Sequence, residues 1–187
     1  MNPMAVAQRM TAQEYLAVPY DGVRSQLVAG EVIVQQPTLP HQQVLRALDH
    51  ALEAWIRAEP RRGQVTWPID VLIDEHNVFG PDLLWYADGH SPDRDAERPY
   101  PMPDLAVEAR SPSTWRYDIG AKKAAYERNG LAELWLVDPV AEDLFVFRRS
   151  SPKAGLFDVA LELGRGDTLT SPQLPGFAVA LATIFLG

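Results

Sequence analysis

One long stretch of this chain carries apolar residues at helical spacing. Val44, Leu45, Leu48, Leu52, Trp55 and Ile56 form an i, i+3/i+4 stripe, which predicts an amphipathic helix over residues 41–59. Pro37 and Pro40 precede it, and Pro60 and Gly63 close it. Upstream, Thr11-Ala12-Gln13-Glu14 has the form of a capping box and predicts a short helix to about Ala17, broken by Pro19, Asp21 and Gly22. Residues 25–28 and 31–35 flank Ala29-Gly30 and read as a β-hairpin.

The middle third is strand-like. Apolar runs at 65–67, 69–73 and 83–86 are separated by Pro68, by residues 74–77 and by Gly80-Pro81. A loop rich in proline and charge, 89–103, leads into Asp104-Leu105-Ala106-Val107-Glu108, which reads as a buried strand. Ser111-Pro112-Ser113-Thr114 is a turn, and Asp118 is expected to cap a helix lasting to Asn129, ended by Gly130. Residues 134–137 and 144–148 predict a second hairpin, 157–163 and 176–181 a β-rich tail, and Phe185 a plug for the core. About three helices and eight or nine short strands make an α/β (α+β) fold. No repeat, low-complexity stretch or long linker divides the chain, so residues 1–187 are expected to form a single domain.

Composition narrows the picture. A chain of 187 residues, 47% hydrophobic, can build its core without a metal or disulfide staple. The absence of cysteine excludes disulfides, thiolate zinc sites and cysteine nucleophiles. No apolar run reaches the roughly 18 residues of a membrane span, and residues 1–10 lack a basic-then-apolar leader, so a cytoplasmic location is expected. The net charge of −8 argues against a broad basic surface for loose nucleic-acid binding, while a local basic groove stays compatible with it. Three lysines stand against fourteen arginines, which draws attention to each lysine, the cation that can lose its proton.

The chain has no Gly-x-x-x-x-Gly-Lys-Ser/Thr loop, no Gly-x-Ser-x-Gly elbow and no His-Glu-x-x-His pair. Its four histidines lack metal-ligand spacing and are expected on the surface or in loops. What remains is a set of carboxylates at odd positions. Asp82 opens one apolar strand directly after Pro81, and Glu108 ends another. Burying such acids unpaired is costly, and facing each other they repel unless a cation lies between them. Hard oxygen ligands with few imidazoles suit Mg2+, with Mn2+ as its substitute. On the following helix Ile119, Lys122, Lys123 and Tyr126 fall on one face, so at least one lysine points inward, though periodicity does not choose between the two. Bland alternatives exist for each residue: Asp82 as a turn acid, Glu108 paired with Arg110 or Arg116, Lys122 as a solvated helix residue. A carboxylate-pair glycosidase leaves the lysine unexplained.

The order of these residues resembles the Uma-type restriction endonucleases, a bacterial branch of the PD-(D/E)XK nucleases. The likeness runs from Met10-Thr11-Ala12-Gln13-Glu14-Tyr15-Leu16 to Leu174-Pro175-Gly176-Phe177 and takes in Pro81-Asp82, the segment Glu108-Ala109-Arg110-Ser111-Pro112-Ser113-Thr114, then Asp118, Lys122 and Tyr126, and 133–139. The resemblance implies a restriction endonuclease-like core, a central mixed sheet flanked by helices, with an additional N-terminal hairpin. It implies that Asp82, Glu108 and the backbone carbonyl of Ala109 bind the metal. It selects Lys122 over Lys123, the family lysine having moved from the strand to the helix, which accounts for Arg110 two residues after Glu108. Gln26, Glu31, His41, Ser111, Asp118 and Tyr126 are expected around the site. The family hairpin usually reads Tyr-Glu-Leu-x-x-Gly-Glu. Here it is Ser25-Gln26-Leu27-Val28-Ala29-Gly30-Glu31, so the first acid is a glutamine and catalysis would rest on one acid fewer. DNA is the implied substrate and a homodimer a possible assembly. The alternative function is a catalytically weak or inactive binding domain that keeps the fold.

Overall fold

The structure, a computed structural model, describes residues 9–19 and 21–185. The expected lack of a leader over residues 1–10 falls almost entirely outside them. Thr11 caps α1 (Ala12–Ala17) through the expected capping box. The hairpin β1 (Ser25–Val28) and β2 (Glu31–Val34) follows, with Ala29 and Gly30 both at positive φ in its turn. Then α2 (Leu39–Ala58) begins two residues before the expected start. Pro40 lies inside its first turn, where no intrahelical N–H is required, so that proline starts the helix instead of delimiting it.

The strands β3 (Gln64–Thr66), β6 (Leu83–Tyr86), β7 (Leu105–Ala109), β8 (Glu133–Asp138), β9 (Asp143–Arg148) and β10 (Val159–Gly164) form a mixed sheet in the order β10-β9-β8-β7-β6-β3. Only β7 and β8 run parallel. A second sheet, β2-β1-β5-β4, adds β4 (Val71–Asp74) and β5 (Asn77–Phe79) to the N-terminal hairpin. Residues 74–77, read as a separator, are the tight turn between β4 and β5. Three-residue β5 escaped the sequence pattern, as did β11 (Thr168–Thr170), which pairs with β12 (Ala178–Ala180).

Strand alternation distributes the core between two faces of the mixed sheet. Leu83, Trp85, Leu105, Val107, Trp135 and Val137 pack with α2 and the C-terminal Phe177 and Phe185. Leu84, Tyr86, Ala106, Leu134 and Leu136 pack with Phe79 and Val28 of the second sheet and with Ala125, Tyr126 and Leu131. Burial on both faces explains why β6, β7 and β8 read as continuous apolar runs. Tyr126 belongs to a helical segment that starts at Trp115, earlier than expected: α3 (Trp115–Tyr117), a π-helical turn (Asp118–Lys122) and α4 (Lys123–Arg128) follow without a break. Asp118 is therefore one turn inside the helix and is not its N-terminal cap. Among the described residues, no helix is long and apolar enough to cross a membrane.

Candidate active site

The register of β6 against β7 places Leu83 opposite Val107, and the next pair outward is Asp82 with Glu108. By parity both acids project from the same face as Leu84, Tyr86 and Ala106, the face covered by α4 and the second sheet. Asp82 Oδ2 accepts the backbone N–H of Ala109 at 2.8 Å and lies 3.1 Å from His41 Nε2. Glu108 Oε1 accepts the Tyr126 hydroxyl at 2.7 Å and lies 2.6 Å from Lys122 Nζ. Lys122 also reaches Asp118 Oδ1 at 2.9 Å. Thr114 Oγ1 donates to Asp118 Oδ2 at 2.9 Å and sits 2.8 Å from Ser111 Oγ.

Asp118, Lys122 and Tyr126 are spaced four apart, and the π-helical turn presents all three inward. Single π-turns inside helices recur at functional sites because they re-aim side chains that an α-helix would splay. Ile119, expected on the same face, is instead half-exposed at 50%. The choice between the lysines is resolved by position: Lys122 is sealed at 0% exposure, whereas Lys123 lies over the Phe147 ring at 4.5 Å. Neither arginine proposed as a partner of Glu108 takes that role. Arg110 pairs with Asp138 at 2.6 Å, and Arg116 lies over the Tyr117 ring.

Charge in this cluster is unbalanced. Asp82, Glu108 and Asp118 face a single ammonium group, Lys122. Burial, the largest influence, pushes the Glu108 carboxyl up to about 8, with the Asp118 and Asp82 charges adding to the rise and Lys122 opposing it. Burial likewise raises Asp118 against the pull of Lys122. For Lys122 burial acts downward, but the charges of Asp118 and Glu108 outweigh it and hold the amine protonated. Tyr126 is raised by burial and by the Glu108 charge, so its hydroxyl stays a donor.

The remaining expected residues divide. His41 is buried on α2 against Asp82, in contrast to the surface or loop location expected from histidine spacing. Gln26 is buried, its Oε1 accepting from the Gly80 N–H at 3.5 Å while its Nε2 has no partner among the described residues. Ser111 is buried beside Thr114. Glu31 is exposed at the start of β2 and makes none of these bonds. Thr114, which orients Asp118, was legible only as part of a turn motif.

A cleft of about 180 Å3 opens beside Asp82, with Arg24, His41, Trp67, Ser111 and Thr114 among its walls. Glu108 and Lys122 are buried and do not line the cleft. The donor chemistry fits magnesium. Asp82 Oδ1 and Glu108 Oε2 have no protein partner among the described residues, and both are hard oxygens next to excess negative charge. Among those residues, no three His, Cys, Asp or Glu side chains form a ready cage.

Comparison with solved structures matches the chain to a crystal structure from Anabaena variabilis described as "a putative nuclease belonging to DUF820". The two share 16% identity over 94% of this chain and 97% of that one, with a TM-score of 0.77, a likeness of fold. No curated protein matches. The model of the Uma2 family, described as "Putative restriction endonuclease", matches residues 12–182. That match spans nearly the whole chain, which has the mixed-sheet fold of the solved nuclease: the chain belongs to the Uma2 family.

Proposed function

We propose that this chain is a cytoplasmic, magnesium-dependent endonuclease, folded as one domain, that hydrolyses DNA phosphodiester bonds. The observation that carries this reading is the buried Glu108–Lys122–Asp118 cluster with Asp82 paired beside Glu108 across β6 and β7, three acids and one lysine with a formal charge of −2 when all four are ionised. A divalent cation neutralises it. Asp82, Glu108 and the Ala109 carbonyl would hold that ion, and Mn2+ would replace Mg2+. When bound, the ion supplies positive charge to the phosphate and acidity to the attacking water.

The chain's own groups do the positioning. His41 and the Ala109 N–H fix Asp82 Oδ2, which leaves Oδ1 to the ion. Tyr126 and Lys122 fix Glu108 Oε1 and leave Oε2 to the ion. Lys122, clamped by Asp118, keeps a positive charge at the base of the site and orients water there. Asp118, itself held by Thr114, stops the ammonium from swinging away. Preorganised charge of this kind needs no rearrangement during the reaction.

A supercoiled-plasmid assay with Mg2+ or Mn2+ tests the proposal. Wild type should nick, and Asp82→Ala, Glu108→Ala and Lys122→Ala should each lose at least 100-fold, on the scale of removing one preorganised electrostatic group. Equal nicking by all four proteins would assign the activity to a contaminant. A non-catalytic binding domain, as a homodimer, is favoured by one observation, the prior occupation of Glu108 Oε1 by Lys122 and Tyr126. Calorimetric metal binding that disappears in Glu108→Ala counts against it.

A further inference from the structure

Trp67 is the one exposed tryptophan of five, at 44%, and it stands in the wall of the cleft that leads to Asp82. Core packing does not account for an indole there. Leu45, Pro37 and Pro68 line the same cleft, so the indole shares a partly apolar space with Asp82. Arg24 lies between this cleft and a second cavity of about 790 Å3, and with Pro68 it lines both. Its Nε donates to the Gln35 amide oxygen, and among the described residues no carboxylate lies within ion-pair distance of it. The guanidinium charge is therefore unspent. Beyond it the second cavity offers Arg98 and Tyr100.

Resting on the nuclease reading above, we infer that the substrate strand is unpaired where it enters the site, with one base stacked on Trp67 and the adjoining phosphate held by Arg24. Three observations converge on this. Arg24 is the one arginine or lysine in the described cleft wall, so phosphate contacts there fall to a single side chain. The cleft of about 180 Å3 has room for one planar base against Trp67. Aromatic stacking then supplies affinity that phosphate contacts do not, since every base has a π-face. Past Arg24, Tyr100 in the second cavity gives the next nucleotide a further ring, while Arg98 there is paired with Asp70 at 3.2 Å.

Anisotropy with labelled fifteen-nucleotide oligothymidine and a fifteen-base-pair duplex tests this. The full chain carrying Glu108→Gln is used in magnesium, so that cleavage does not consume the probe. The single strand should bind at least tenfold tighter than the duplex. Adding Trp67→Ala should weaken it by about 10- to 100-fold, and Trp67→Phe should retain most of the binding. Arg24→Ala should reduce the slope of log affinity against log salt by about 0.7, one phosphate of a single strand. Circular dichroism of each variant confirms folding, as expected for exposed or half-exposed positions. Equal or tighter duplex binding, Trp67→Ala without effect, or no binding of either probe overturns the inference, even if the wild type cleaves plasmid. Trp67-dependent binding of the single strand, with a wild type that cuts nothing in Mg2+ or Mn2+, supports the inference and overturns the nuclease reading instead.

Discussion

Magnesium binding to this site should release a proton, and the amount released should track pH. The Glu108 carboxyl is pushed up to about 8, chiefly by burial. Glu108 therefore keeps its proton at neutral pH and gives it up as the pH rises through about 8. A metal ion takes the ionised form, so the observed affinity should rise about tenfold per pH unit up to pH 8 and then level off. Titration calorimetry in two buffers of different ionisation heat measures the protons directly: about 0.9 per ion at pH 7, falling toward ~0.1 at pH 9. The same shift acts on stability. A carboxyl raised from 4.5 to about 8 stabilises the fold while protonated. That contribution is fully present below pH 4.5 and is lost as the pH rises through 8. At roughly 1.4 kcal/mol per unit it amounts to at most about 5 kcal/mol. Urea melts of the metal-free protein should therefore weaken between pH 5 and 8.5, and saturating magnesium should reverse the loss. Glu108→Gln should abolish both the proton release and this part of the pH dependence. Affinity independent of pH between 6 and 8, with no proton released, would refute the reasoning.

Above pH 8, where Glu108 ionises, Lys122→Met should destabilise the metal-free protein by about 3–5 kcal/mol, because it leaves Glu108 and Asp118 buried without their cation. Urea melts measure the loss, and adding Glu108→Gln should recover part of it. Tyr126→Phe removes the 2.7 Å bond to Glu108 and should cost about 1–3 kcal/mol while extending magnesium-linked proton release to higher pH. Leu48→Ala, at a fully buried position under the mixed sheet, should cost about 2–5 kcal/mol in the same melts and leave the proton release unchanged.

Much of the scaffold was legible because long-range burial writes itself into periodicity. The α2 stripe, the capping box at Thr11 and the apolar runs of β6, β7 and β8 each follow from a face that must be covered. The three-residue strands β5 and β11 were not legible, since so short a run carries no period. The pairing of Asp82 beside Glu108 depends on the β6–β7 register, which the intervening proline-rich loop hides. The π-turn was hidden as well. It inserts a residue into the helical count, so a regular helix places Ile119 inward where the real one turns it out. His41 was misjudged from spacing alone because its partner, Asp82, lies 41 positions away. Arg24 and Trp67 carried no motif and became visible only when the walls of the cleft were assembled.

A manganese-soaked crystal examined by anomalous diffraction tests the central claim most directly. A single strong peak between the Asp82 and Glu108 carboxylates, at coordination distance from Asp82 Oδ1 and Glu108 Oε2, is the expected result, with the peak gone in Glu108→Ala. A crystal of the wild type with no peak there, or one whose ion sits away from both acids, contradicts it.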